Sequence, residues 1–171
     1  MKNLKQELFI TWHRSKTVLL LFSAMAAFAF YFTQRYTIAF NGAESDCLNA
    51  RVFLIDKWDR EFTNGHIIAF SMQVDNGIHP IGTVWVKKVA AMPGQTVHVT
   101  HESVSVENKT YRLSATYIFN KLNKDPDELK SSWDLSSTEV FMIGETLTSY
   151  DSRFWGPIDT NHVVGRAYAI I

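Results

Sequence analysis

Polar and apolar positions along this chain follow two different rhythms. Between Thr17 and Phe32 no charged residue occurs, and leucine, alanine and phenylalanine follow one another without a polar face. After about residue 34 the apolar residues come in short runs, at 36–40, 51–55, 67–72, 83–91, 96–99, 140–143 and 163–171. β-Branched and aromatic residues dominate these runs, which predicts strands. The dipeptides Asn41-Gly42, Asn64-Gly65, Asn76-Gly77, Pro93-Gly94 and Gly156-Pro157 lie between them and supply positive or fixed φ angles for turns. The expected architecture is mainly β, an antiparallel sheet or barrel domain.

The stretch 107–138 departs from this pattern. It is polar and lysine-rich, and within it Asp125 can cap a helix whose first turn holds Pro126. It reads as a small cap, an excursion from the core sheet.

The first rhythm predicts one membrane-spanning helix at 17–33. A span needs about 20 apolar residues and at least about 17, which Thr33 and interfacial help from Lys16, Tyr31 or Tyr36 supply. A cleaved signal peptide would place small residues after the apolar run, whereas the alanines at 24–29 lie inside it. A buried core helix is the remaining alternative. Lys2, Lys5, Arg14 and Lys16 against Glu7 predict that segment 1–16 stays in the cytoplasm. Residues 34–171 then form a domain on the far side, the periplasm of a bacterium.

Charge and composition exclude several function classes. Lysine plus arginine equals aspartate plus glutamate at 17 each, and no basic stripe replaces the missing field, so no nucleic-acid partner is expected. Three positions apart on a strand, His98 and His101 face opposite ways, and no HExxH or paired-cysteine spacing occurs, so no metal site is expected. No G-x-S-x-G elbow is present. The chain has one cysteine, so Cys47 is a free thiol, an intermolecular link or a small buried hydrophobe. Lys87 and Lys88 sit within the apolar run 83–91. Adjacent strand residues face opposite ways, so at least one ammonium points toward a hydrophobic surface unless both snorkel to water.

Three motifs together carry a resemblance. Val86-Lys87-Lys88-Val89-Ala90-Ala91-Met92-Pro93-Gly94-Gln95 resembles the lysine box of type I signal peptidases, K-R-V-x-G-x-P-G-D. Ser149-Tyr150-Asp151-Ser152-Arg153-Phe154-Trp155-Gly156, with Gly144 before it and Val164-Gly165-Arg166-Ala167 after it, is similar to that family's C-terminal box. Ser45-Asp46-Cys47-Leu48-Asn49 stands where the family has S-x-S-M-x-P. The short chain, single anchor and Ser-Tyr-Asp-Ser-Arg-Phe-Trp-Gly-Pro form resemble the conjugative-transfer (TraF-type) branch, which matures pilin subunits. Asn64-Gly65-His66, Gln95 and Glu145-Thr146 depart from the family's R-G-D, its aspartate and its D-N, and no proline follows Leu48.

The resemblance implies a site. Cys47 takes the place of the nucleophilic serine and Lys87 that of the general base. Ser45 and the Cys47 N–H form the oxyanion hole, Ser149 orients Lys87, and Asp151, Arg153 and Gly144 support them. It implies no cofactor and no metal. A serine nucleophile would demand a neutral lysine, at a desolvation cost of roughly 4.6 kcal/mol. An isolated thiol and amine instead favour thiolate and ammonium by roughly 2.6 kcal/mol. Attack by Cys47 yields a thioester, which prefers amine acceptors over water more than an oxygen ester does. The expected function is an inner-membrane acyl-transfer enzyme that cleaves a pilin precursor, or another secreted peptide, near its C-terminus and closes it head to tail. Other proteins of the conjugation apparatus are possible partners. The alternatives are hydrolytic removal of a leader peptide and an inactive, peptidase-like assembly factor. Trp85, Trp133 and Trp155 read as packing residues, and the stretch 39–43 as a sheet edge for an extended peptide.

Overall fold

The computed structural model describes residues 2–40, 47–75, 80–123 and 125–171, with backbone alone for 2–11, 13 and 126. The turns expected at Asn41-Gly42 and Asn76-Gly77, and the position of Ser45, lie outside the described residues. The chain divides into two units, residues 1–36 and 37–171.

The first unit is one helix, α1 (Lys2–Arg35), longer than the apolar run because the polar residues before Thr17 continue it. Within it, Arg14–Arg35 is long and apolar enough to cross a membrane. At 1.5 Å per residue those 22 residues reach about 33 Å, close to the hydrocarbon thickness of a bilayer. Its large apolar side chains, Val18 to Phe32, are exposed around the helix, as lipid contact would require.

The second unit holds two antiparallel sheets. The larger contains β1 (Tyr36–Phe40), β2 (Val52–Asp56), β3 (Ile67–Ser71), β4 (Val84–Ala91), β9 (Glu139–Ile143), β10 (Ile158–Asp159) and β11 (Val163–Ala169), in the order β1-β2-β11-β3-β4-β9-β10. The smaller contains β5 (Thr96–Val99), β6 (Ser103–Val106), β7 (Lys109–Arg112) and β8 (Ser132–Asp134), ordered β7-β6-β5-β8. The central strands are buried on both faces, which is why they read as continuous apolar runs. On β9, Val140 and Met142 pack with Ile68, Phe70 and Trp155, while Phe141 and Ile143 pack with Val97, Val99, Val104 and Val106 of the smaller sheet. A register shift between Val89 and Ala91 sends Val89 to the first cluster and both Ala90 and Ala91 to the second.

The stretch 107–138 is built differently from the excursion its composition suggests. It supplies β7 and β8 to the smaller sheet and carries α2 (Thr116–Leu122), whose Ile118 and Phe119 are buried. Asp125 does cap the backbone, accepting from Asp127 N–H at 2.9 Å. The helix it starts is only the 3-10 turn Pro126–Glu128.

Candidate functional site

Alternation along β4 decides between the two lysines. Lys87 pairs across from Ile68 on β3 and Lys88 from Ile143 on β9, and the two side chains leave on opposite faces. Lys87 is 1% exposed. Its Nζ donates to Ser149 Oγ at 3.2 Å and lies 5.6 Å from the centre of the Trp85 ring, two residues back on the same face. Lys88 Nζ meets Glu145 Oε1 at 2.6 Å at the edge of solvent. Only one of the lysines snorkels.

Ser149 is held by its neighbours' charges. Asp151 caps α3 (Ser152–Trp155) by accepting from Arg153 N–H, and Arg153 folds back on it with Nε to Oδ1 at 2.7 Å and Nη2 to Oδ2 at 3.0 Å. The same guanidinium donates to the carbonyls of Ser149 (3.0 Å), Leu113 (3.0 Å) and Ser114 (3.1 Å). It thereby ties the backbone of the Lys87 partner to the segment leading into α2. Asp151 Oδ2 also accepts from Gly144 N–H at 3.0 Å, and Ser152 Oγ accepts from Met142 N–H at 3.0 Å. The fork is fully buried, with both side chains at 0%, and every carboxylate lone pair it must satisfy has a donor.

Cys47 joins this assembly through backbone. Its carbonyl accepts from Glu145 N–H at 2.6 Å, and the following Leu48 is anchored in a core cluster with Phe53, Ile55, Ala69 and Ala167. The Glu145 carboxylate accepts from Asn49 N–H at 3.2 Å, so one residue grips the cysteine segment by main chain and side chain together. Partial burial works to raise the Glu145 carboxyl, but the Lys88 ammonium and the Asn49 N–H outweigh it and hold the group below the usual carboxylate range. Gly144 is required by space: a Cβ there would overlap Ser149 Oγ, Ser149 Cβ and the Cys47 carbonyl oxygen. The absent side chain lets residues 47 and 149 meet. Cys47 is a buried free thiol, 7% exposed.

Of the residues singled out in the sequence, Lys87, Ser149, Gly144, Asp151, Arg153 and the Cys47 backbone thus form one connected group, while Ser45 lies outside the described residues. Two contributors went unrecognised in the pattern. Glu145 was visible only as a departure from D-N, and Trp85 only as a packing residue, although its place two before Lys87 on a strand was a signal that they share a face. Other departures rebuild turns. Gln95 Oε1 accepts from Met92 N–H (2.7 Å) and Asn64 Nδ2 (3.1 Å), and its amide donates to Glu107 (2.8 Å). Arg166, facing His66 at 3.3 Å, reaches Asp59 Oδ2 at 3.6 Å. Along the C-terminal flank of Cys47 runs an open cavity of about 460 Å³, walled by Leu48, Asn49, Ala50, Arg51, Thr146 and Ile171.

The site is thus a buried lysine on a serine hydroxyl, set beside the backbone of Cys47. The chain belongs to the family described as signal peptidase, peptidase S26, whose model matches residues 10–171. It is 28% identical over 88 residues to signal peptidase I of Leptolyngbya laminosa, a match spanning 51% of this chain and 40% of that protein, less than half the relative's length. The crystal structure of a signal peptidase I from Enterococcus faecalis overlays 63% of this chain and 97% of that one, at 18% identity and a TM-score of 0.42.

Proposed function

We propose that this chain is a membrane-anchored Cys/Lys acyl-transfer enzyme that matures a conjugative pilin, cutting near its C-terminus and joining the new acyl end to the chain's own N-terminus. The observation that carries the reading is the group formed by Lys87 Nζ, Ser149 Oγ, Gly144 and the Cys47 carbonyl, with cysteine where the family's pattern has serine.

In this reading the proton of the Cys47 thiol resides on Lys87. The thiolate attacks the scissile carbonyl, the C–N bond breaks, and the Lys87 ammonium hands its proton to the departing nitrogen, leaving a thioester on Cys47. An incoming amine attacks the thioester, Lys87 takes the proton that nitrogen sheds, and the C–S bond breaks to restore the thiolate. Ser149 keeps Lys87 aimed throughout, and the cavity beside Leu48 and Thr146 gives room for the leaving peptide and the acceptor. The basic residues before Thr17 set the N-terminus in the cytoplasm and the catalytic unit in the periplasm.

Hydrolysis is the second reading, favoured by the family itself. Water then replaces the amine in the last step, and the product is a shortened linear chain. The mass of mature pilin from cells carrying the wild-type protein or Cys47→Ala separates the readings. The expected wild-type product is one water lighter than the linear cleaved chain and disappears in the variant. A linear product supports hydrolysis, and an unchanged pilin in the Cys47→Ala cells overturns both.

A further inference from the structure

We infer that Trp85 is a positioning residue that acts through Lys87, its ring face holding the lysine in the ammonium form that a cysteine nucleophile requires. The inference deepens the proposed Cys/Lys reading and rests on it. Lys87 is buried, and among the described residues no carboxylate forms an ion pair with it. Its ammonium has one hydroxyl, Ser149 Oγ at 3.2 Å, and one aromatic face, Trp85 at 5.6 Å, within the range where the ring quadrupole attracts a cation.

The ring cannot swing away. Trp85 meets Trp155 edge to face at 5.0 Å and 79° and Tyr150 at 6.3 Å, and Tyr150 meets Trp155 edge to face at 4.9 Å. The charged and titratable groups around Lys87 are few. Cys47, from the segment before β2, reaches Gly144, beside Ser149, with its carbonyl. Tyr150 and the Asp151–Arg153 pair lie behind Ser149, the carboxylate of that pair engaged by Arg153 and Gly144 N–H. Lys88 is on the other face of β4, paired with Glu145. The facing residues of β3 and β9, Ile67, Ile68, Ala69, Met142 and Ile143, carry no ionisable group. The ring and the hydroxyl are therefore what favours the cation against burial. A serine nucleophile needs the opposite, a neutral lysine, and would gain nothing from a cation-binding face there.

The test is a double-mutant cycle read by pH. The rate of iodoacetamide alkylation of Cys47, the single cysteine, is followed against pH in the full chain in detergent micelles. The variants are Trp85→Leu, Trp85→Phe, Lys87→Met and the double Trp85→Leu/Lys87→Met, with thermal unfolding recording that each is folded. Trp85→Leu is expected to raise the alkylation midpoint by about one pH unit, and Trp85→Phe, which keeps a ring face, by less. In the Lys87→Met background Trp85→Leu is expected to move nothing, because Trp85 works only through the lysine. A purely packing role would shift both backgrounds alike. Equal shifts, no shift, or a thiol inert at every pH in folded protein would overturn the inference. If the cycle behaves as expected while Cys47→Ala leaves pilin mass unchanged, the pilin reading alone falls.

Discussion

Two buried basic side chains lie within one network and are treated in opposite ways. Arg153, 2% exposed, has a forked carboxylate and three backbone carbonyls. Lys87, 1% exposed, has a hydroxyl and a ring face. Burying a charge is tolerable when its partners replace water, and costs several kcal/mol when they do not. Arg153 is thus a completed structural joint, fixing Ser149 and the segment before α2. Lys87 is held more thinly, by one hydroxyl and one ring face.

Three substitutions probe that contrast. The largest expected effect is on stability, from removing one partner of the completed pair. Asp151→Ala leaves Arg153 buried and unpaired and is expected to lose about 3–5 kcal/mol in denaturant unfolding, while replacing both residues by apolar ones costs less than the two single changes summed. Equal and additive losses would mean that the pair is not coupled as its geometry indicates.

Lys87→Met should do the reverse. Replacing a thinly partnered buried ammonium by an apolar side chain of similar length is expected to leave stability within about 1 kcal/mol of wild type, or above it. Pilin processing, read by product mass, is expected to be lost. Normal processing in this variant would overturn the proposed catalytic role of Lys87.

The smallest effect concerns the grip on the cysteine segment. Because the Glu145 carboxyl is held below its usual range, its contribution is present above the ordinary carboxylate range and fades as pH falls through the lowered value. Glu145→Gln is expected to cost about 1 kcal/mol at neutral pH, the scale of a partly exposed ion pair. It should also flatten the acid side of the stability profile below about pH 4.5, the ordinary carboxyl value. An acid limb identical to wild type would show that the Lys88–Glu145–Asn49 connection does not hold the folded state.

Much of the sheet was legible in the chain because its central strands are buried on both faces. Residues 140–143 and 83–91 carry runs of apolar side chains that admit few other readings. The smaller sheet was harder to see. On β6 and β7 the residues facing away from the core, Ser103, Ser105, Thr110 and Arg112, are polar, and β8 is a three-residue strand whose Trp133 packs beside β5. Short half-exposed strands take their identity from a partner strand more than from propensity. The cap helix fell at 116–122 rather than after Asp125. Ile118 and Phe119 find a buried surface there, and that tertiary contact outweighed the capping signal at Asp125-Pro126.

The lysine and C-terminal boxes showed which residue types belong to the site, and their order along the chain showed which family's arrangement to expect. By itself the sequence determined the apolar helix, the succession of strands and the presence of one thiol and two adjacent lysines. Alternation guaranteed that those lysines part, but not which one enters the core, because that depends on what packs against each face of β4. Only the tertiary structure placed Lys87 under Ser149, 62 residues away, made Gly144 the gap through which residues 47 and 149 meet, and turned Trp85 from a packing residue into a neighbour of the ammonium. These are contacts between strands and loops distant in the chain, and they exist only once the central strands have buried both faces.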